Sequence, residues 1–191
     1  MSAPTAAHPH ATGRAPDERR VAFARAAVGL LWAIALVLAL GDDGTRTDAD
    51  VPVAAALLLA AYPVVDVLAS IRAASAGGVP GRLARANAAL GVLAVAAVAV
   101  AALAADAGAT LAAFGAWAAI SGALQLVVAV RRRSEGRQLP MIISGGLSTL
   151  AGLSFVAAAA RTEADLVPLA GYMAVGAVLY VVWGVRTRGT R

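Results

Sequence analysis

Long stretches without a charged residue alternate with short polar segments along almost the whole chain. Four uncharged runs are about as long as a spanning helix needs, roughly 20 residues: Ala88 to Ala105, Ala107 to Val130, Gln138 to Ala160 and Leu166 to Val185. The run from Ala26 to Leu40 is short unless it extends back past Arg25, whose side chain can reach the headgroups. The run from Val51 to Ile71 contains Asp66. The pattern therefore predicts six transmembrane helices.

The arginines are distributed unevenly between the connecting segments. Fourteen of the 16 basic residues precede the first span or follow the second, fourth or sixth: Arg14, Arg19, Arg20, Arg25, Arg72, Arg82, Arg85, Arg131, Arg132, Arg133, Arg137, Arg186, Arg188 and Arg191. The opposite side has two arginines and seven acidic residues: Arg46, Arg161, Asp42, Asp43, Asp48, Asp50, Asp106, Glu163 and Asp165. Because cytoplasmic loops carry the excess of basic residues, both termini are predicted to be cytoplasmic.

The composition excludes a water-soluble fold. Hydrophobic residues make up 60% of the chain, charged residues make up 14%, and the mean hydropathy is +0.77. In soluble domains roughly 45–50% of the residues are apolar and about 25% are charged. All basic residues are arginine and alanine is abundant, which indicates a GC-rich bacterium as the source. The net charge of +5 comes from arginines in short clusters between the apolar spans, where they orient the protein in the lipid bilayer. Nucleic acid is therefore not expected as a partner. The absence of cysteine excludes disulfides and thiolate sites.

The chain divides into a tail and one membrane domain. Residues 1–20 are polar and interrupted by proline and glycine, which predicts a disordered cytoplasmic tail. Residues 21–188 form the membrane domain, with hairpins at about 21–72, 83–131 and 138–186. The predicted fold class is all-α, a polytopic integral membrane protein of three tandem helical hairpins. If the first span were instead a cleaved signal peptide, five spans would remain, and Ala39-Leu40-Gly41 is a poor cleavage site.

An aromatic residue recurs with a fixed spacing. Tyr62, Trp117 and Tyr172 are 55 residues apart, and the last two each precede an arginine by 14 residues. A constant period of this length indicates an internal repeat. Residues at i+4 and i+8 continue a stripe along one face of each even-numbered helix: Asp66 and Ser70, Ser121 and Gln125, and Gly176 and Tyr180. We expect this stripe to face the bundle interior or a neighbouring helix.

The segment FGAWAAISGALQLVVAVRRRSEGRQLPMIISGGLSTLAGL, from Phe114 to Leu153, resembles the HdeD-like family of small bacterial membrane proteins. In that family an even helix carries an aromatic residue, a glycine-bearing segment and an arginine, and a glycine-rich odd helix follows. The matching residues here are Trp117, Gly122, Gln125, Arg131, Gly145, Gly146 and Gly152, and again Tyr172, Gly176 and Arg186. The resemblance covers roughly Arg25 to Arg188. It implies a six-helix membrane fold and a role in acid resistance or stress response.

Asp66 is the strongest candidate for chemistry within the spans. A carboxylate in a spanning helix costs at least about 2.5–3.5 kcal/mol, so it is usually paired, protonated or functional. Arg25, Arg85 and Asn87 are predicted at a similar depth and are candidate partners. Two interpretations stay open. Asp66 either locks the bundle through a buried hydrogen bond, or serves as a proton or cation site whose pKa is raised by burial.

Other polar residues in the spans are predicted to hold helices together through hydrogen bonds worth about 0.6 kcal/mol each: Asn87, Ser121, Gln125, Ser144, Ser148 and Thr149. Tyr62 and Tyr180 of the stripe are further polar candidates within the membrane. Pro63 is predicted to bend the second span beside Asp66. The two histidines, His8 and His10, lie in the tail. A histidine-based metal site or catalytic pair is therefore not expected within the bundle, and we predict no cofactor, no metal and no enzymatic activity.

These observations favour a non-enzymatic membrane component of stress or acid tolerance, a role implied by the resemblance alone. Two alternatives remain. One is a small proton- or cation-linked transporter or channel that uses Asp66. The other is a scaffold that binds another membrane protein, or a further copy of itself, through small-residue helix faces. A water-lined cavity reaching Asp66 would favour transport, and a closed bundle would favour a structural or scaffold role.

Overall fold

The computed structural model describes residues 14–41, 50–75, 81–135, 138–161 and 164–186. These residues form six α-helices and a short 3₁₀ turn, with no strand among them: α1 (Arg14–Leu40), α2 (Val53–Ser75), α3 (Gly81–Ala104), α4 (Ala107–Arg131), α5 (Leu139–Ala159) and α6 (Val167–Arg186). The all-α fold class is confirmed for this part of the chain.

Local sequence signals explain where several helices begin and end. α1 stops at Gly41, whose φ of 57° is a left-handed conformation that glycine adopts without strain. α4 begins at Asp106, whose carboxylate accepts a hydrogen bond of 2.6 Å from the backbone N–H of Ala109. The Asp165 carboxylate accepts one of 2.8 Å from the N–H of Val167, the first residue of α6. Two acidic residues on the predicted outer side thus cap helices.

Five of the helices are long and apolar enough to cross a membrane: Ala22–Leu40, Arg85–Ala104, Ala107–Arg131, Leu139–Ala159 and Val167–Arg186. Their bounds agree closely with five of the predicted spans. α2 has 23 residues, which is long enough to cross, and its segment Val53–Val65 is apolar. Five candidate spans are therefore shown, and the sixth stays a prediction.

The start of α1 differs from the prediction. Residues 14–20 were expected to be disordered and are helical, whereas residues 1–13 lie outside the described part of the chain. The Arg19 guanidinium stacks on the Phe23 ring at 5.2 Å. Ala22 and Phe23 then pack against Gly184 of α6. These contacts give the first turns of α1 a partner that the tail's polar composition does not reveal.

The six helices form a closed ring in which each helix contacts its two neighbours in chain order, and α1 contacts α6. The packing alternates around this ring. The most extensive interfaces are α4 with α5, α2 with α3, and α1 with α6, while the α5–α6 seam is the least packed. The predicted hairpins α1–α2, α3–α4 and α5–α6 are in contact, but less closely. Each odd helix therefore packs mainly against the even helix that precedes it around the ring.

Glycine makes the α4–α5 interface the closest in the ring. A Cβ atom built on Gly122 would lie 2.7 Å from the Ser148 Cβ and the Thr149 nitrogen, and one on Gly145 would lie 2.7 Å from the Leu126 nitrogen. Real side chains do not tolerate such distances, so only glycine permits this backbone approach. Gly146 has nothing within 4 Å of its Cβ position, so the interface is formed by its neighbour Gly145.

The outward surface is aliphatic on every helix. Leu38 is 77% exposed, Leu93 and Leu150 are each 68% exposed, and Leu57 is 61% exposed. Soluble monomers rarely expose continuous apolar patches of this kind, and such patches mark contact with membrane or protein. The described bundle therefore fits a multi-pass membrane protein.

Candidate functional site

Aromatic rings from five helices meet inside the bundle. Tyr62 of α2 is the hub of this aromatic cluster, with ring centroids at 6.2 Å from Trp32, 5.9 Å from Phe114, 6.0 Å from Trp117 and 6.5 Å from Tyr172. Most of these pairs are edge-to-face, which is the favoured aromatic geometry. The members of the cluster are Trp32, Tyr62, Phe114, Trp117, Phe155 and Tyr172.

The three aromatics of the 55-residue repeat belong to this cluster. Tyr62, Trp117 and Tyr172 come from α2, α4 and α6, which are not neighbours in the ring. Side chains from helices that are separated around a ring can meet only near its centre. Phe114 fills the remaining space with no exposed surface. The repeat therefore places one aromatic side chain per unit at the centre of the bundle.

Hydrogen bonds anchor the edges of the cluster. The Trp32 indole N–H donates to the carbonyl oxygen of Leu58 on α2, at 3.0 Å. The next carbonyl along α2, that of Leu59, has no helical N–H donor, because its donor would be residue 63 and Pro63 has no N–H. The Trp32 bond therefore lies beside the break in the hydrogen bonding of α2. The Ser148 and Tyr172 hydroxyls are 3.0 Å apart, and either one can donate. By contrast, the buried Trp117 Nε1 has no acceptor within the described residues.

A cleft opens between α5 and α6 at the least packed seam of the ring. Its volume is about 290 Å³, and its inner end reaches Tyr62 of the aromatic cluster. We call it the α5–α6 cleft, and its lining residues are Tyr62, Ser144, Leu147, Ser148, Ala151, Phe155, Pro168, Tyr172, Val175, Gly176 and Leu179. The lining is predominantly apolar, and its polar side-chain atoms are hydroxyl groups. The Ser148–Tyr172 hydrogen bond joins the two walls.

Two contacts involve the predicted candidates nearer the arginine-bearing helix ends. Arg25 donates a hydrogen bond of 3.1 Å to the Tyr180 hydroxyl and lies 5.4 Å from the centre of that ring. This contact joins α1 to α6. Gln125 donates through Nε2 to the carbonyl oxygen of Met141 at 3.2 Å, which joins α4 to α5. Arg25, Tyr180 and Gln125 therefore connect helices, as expected for polar residues that hold a bundle together.

The structure does not gather all the predicted polar candidates into one site. The side chain of Asp66 lies outside the described residues, so its predicted pairing stays a prediction. Arg85 is exposed and Asn87 is half-buried, both on α3. Ser121 bonds within its own helix, to the carbonyl oxygen of Ala118 at 3.4 Å. Of the even-helix stripes, the structure brings together the first members, Tyr62, Trp117 and Tyr172.

Sequence reasoning missed three members of the aromatic cluster as site residues: Trp32, Phe114 and Phe155. Phe114 had a detectable signal, since it precedes Trp117 by three residues and shares its helix face. Trp32 and Phe155 lie outside the 55-residue series and had no comparable signal. No family model, curated protein or solved structure matches the chain.

Proposed function

We propose that this chain is a six-span protein of the bacterial plasma membrane with both termini in the cytoplasm. Support comes from five helices of spanning length, the aliphatic outer surface and the arginines gathered on one side. α2 is the sixth span in this proposal. Its 23 residues extend about 34 Å, enough for a hydrocarbon core of roughly 30 Å.

Reporter fusions test this arrangement. We expect a cytoplasm-active reporter to be active after Arg191 and within residues 76–80, and an export-dependent reporter to be active within residues 42–49. The protein should also require detergent for extraction, because its apolar surface is otherwise exposed to water. Termini on opposite faces of the envelope, or a monodisperse particle in detergent-free buffer, would contradict the proposal.

Within that membrane, we propose a non-enzymatic role of the HdeD-like type in tolerance of acid or another envelope stress. The observation that carries this choice over a channel is the aromatic cluster, which fills the centre of the bundle with rings 5.1 to 6.5 Å apart. A conducting pathway needs a polar, water-filled passage. A closed apolar centre instead suits a protein that adds no proton leak to a membrane under acid load.

Acid survival and proton flux together test this role. Cells that lack the protein are expected to survive acid shock less well, and the wild-type protein should restore survival. Purified protein in liposomes should leave the rate of proton entry at the level of protein-free liposomes. The Asp66→Asn variant is expected to restore survival as the wild type does, provided that it accumulates to the same level.

A different result would favour the transporter alternative. If the wild-type protein accelerates proton or cation flux, and Asp66→Asn abolishes that flux while the protein remains folded, Asp66 is a transport site and the non-conducting role is wrong. If the deletion strain survives acid shock as well as the same strain carrying a plasmid copy that is expressed in the membrane, the acid-tolerance part of the proposal is wrong. Neither result would affect the membrane location, which the fusions test separately.

A further inference from the structure

The α5–α6 cleft is a gap between two helices that pack loosely against each other. Small residues usually let helices approach closely, as glycine does between α4 and α5. At the α5–α6 seam the opposite holds. Gly176 lines the cleft and has nothing within 4 Å of its Cβ position. Small side chains on both walls leave a gap that the backbones do not close, and the gap is open to the outside, where Leu147 is 43% and Val175 is 51% exposed.

The cleft presents a half-buried hydrogen-bonding group between apolar walls. A serine hydroxyl offers one donor and two acceptor positions. Among the described residues the Ser148 hydroxyl makes one side-chain hydrogen bond, to Tyr172, so it can bond a second group in the cleft. Ser148 lies nine residues after the first residue of α5 and eleven before the last. In the proposed membrane location this is close to the bilayer midplane.

The chemistry of the lining specifies what can enter. No charged side chain lines the cleft among the residues that the structure describes. A charged lipid headgroup at the midplane would be unpaired and costly, so the polar end of the occupant must be neutral. The lining on α5 runs from Ser144 to Phe155, about 16 Å along the helix. With about 290 Å³, the cleft is narrow for a two-chain lipid.

We propose that the α5–α6 cleft binds a neutral, single-chain amphiphile from the lipid phase, whose hydroxyl or carbonyl group hydrogen-bonds to Ser148. The chain of this ligand lies along Leu147, Val175 and Leu179, and the aromatic cluster closes the inner end at Tyr62. The proposal rests on the membrane location proposed above but not on a stress role. Binding is measured on purified protein, so its failure is distinguishable from failure of the acid-survival test.

The probes are a long-chain saturated alcohol that carries a diazirine on its chain and a matched alkane without the hydroxyl. Both are photolysed with the detergent-solubilised full-length protein, and the labelled residues are mapped by mass spectrometry. We expect the alcohol to label the cleft residues of α5 and α6 roughly fivefold more than the alkane does, the effect of about one hydrogen bond. Excess unlabelled alcohol should compete this labelling away.

Three variants make the test specific. Ser148→Ala should reduce labelling by the alcohol to the level of the alkane, because only the hydroxyl is lost. Gly176→Leu should fill the cleft and reduce labelling by both probes to the level of the outward helix faces. Gly171→Leu is the matched control, because Gly171 is on the same helix, is exposed and has open space at its Cβ position. Its labelling should equal that of the wild type.

Equal labelling of the cleft by alcohol and alkane in the wild type would overturn the proposal. So would label spread evenly over the outward faces of all helices, since this indicates contact with bulk lipid only. If Gly176→Leu fails to fold, the comparison of wild type with Ser148→Ala decides the question, because that substitution removes one oxygen atom. An alcohol preference that survives in Ser148→Ala would also reject the assigned site.

Discussion

Replacing Gly152 with alanine is expected to destabilise the bundle by about 3 kcal/mol, the upper end of the usual cost of overpacking. A Cβ atom at this position meets the backbone nitrogen of Ala119 and the carbonyl oxygen of Gly115 on α4. Both are backbone atoms within a helix, so neither can rotate away as a side chain would. The free energy of unfolding, measured by titration from mild detergent into sodium dodecyl sulfate with circular dichroism, should fall accordingly.

Gly146→Ala is the matched control for this prediction. It is the same change on the same helix, but nothing lies within 4 Å of the Cβ position of Gly146. We expect no loss of stability, or a gain of up to about 1 kcal/mol because alanine favours the helix more than glycine does. Equal effects of the two substitutions would mean that α4 and α5 are not in backbone contact at Gly152.

Replacing Phe114 with alanine is expected to cost about 3 kcal/mol. Phe114 has no exposed surface, and its ring centroid lies 5.1 Å from that of Trp117 and 6.1 Å from that of Tyr172. Phenylalanine-to-alanine changes in soluble cores cost about 3–5 kcal/mol. We expect the lower end, because lipid solvates an apolar side chain nearly as well as the core does. The remaining cost is the lost packing around the cavity.

The same unfolding titration measures this loss, and Leu150→Ala serves as the control because Leu150 is 68% exposed on α5. Phe114→Leu should recover part of the stability by refilling the cavity. The fluorescence of Trp117 should also change in Phe114→Ala, since the neighbouring ring is gone. A Phe114→Ala protein as stable as Leu150→Ala would show that the aromatic cluster does not pack the centre of the bundle.

The helices themselves could be predicted from the sequence because the uncharged runs are long and are separated by segments that contain charged residues. The predicted run from Ala107 to Val130 became α4, Ala107–Arg131, and the run from Leu166 to Val185 became α6, Val167–Arg186. These limits were also predictable, because Asp106 and Asp165 cap the first turns and arginine ends both helices. The N-terminal limit of α1 was harder to predict from the sequence, since its first turns contact α6.

The pairing of helices could not be read in the same way. The 55-residue repeat suggested hairpins between chain neighbours, whereas the most extensive contact of α1 is with α6. The decisive interactions are backbone approaches at particular glycines. Gly145 lies at an interface and Gly146 does not, although the two are adjacent and chemically identical. Hydropathy does not distinguish them, because the difference is which side of α5 faces α4.

The candidate site was only partly predictable for a related reason. The fixed spacing of Tyr62, Trp117 and Tyr172 identified equivalent positions, and their convergence follows once the even helices face one centre. Trp32 lies outside that series. The α5–α6 cleft had no sequence signal, because it arises from the distance between two backbones. Ser148 was predicted as a hydrogen-bonding residue, but its partner Tyr172 was recognised only as part of the repeat.

The contact between α1 and α6 has a consequence for how the protein is made. α1 leaves the ribosome well before α6, its main partner, and synthesis proceeds at about 5–20 residues per second. During that interval the face of α1 around Gly29, which later packs on Ala177, has no packing partner on α6. Nascent chains halted before residue 167 should therefore depend on quality-control proteases or insertion chaperones far more than finished ones.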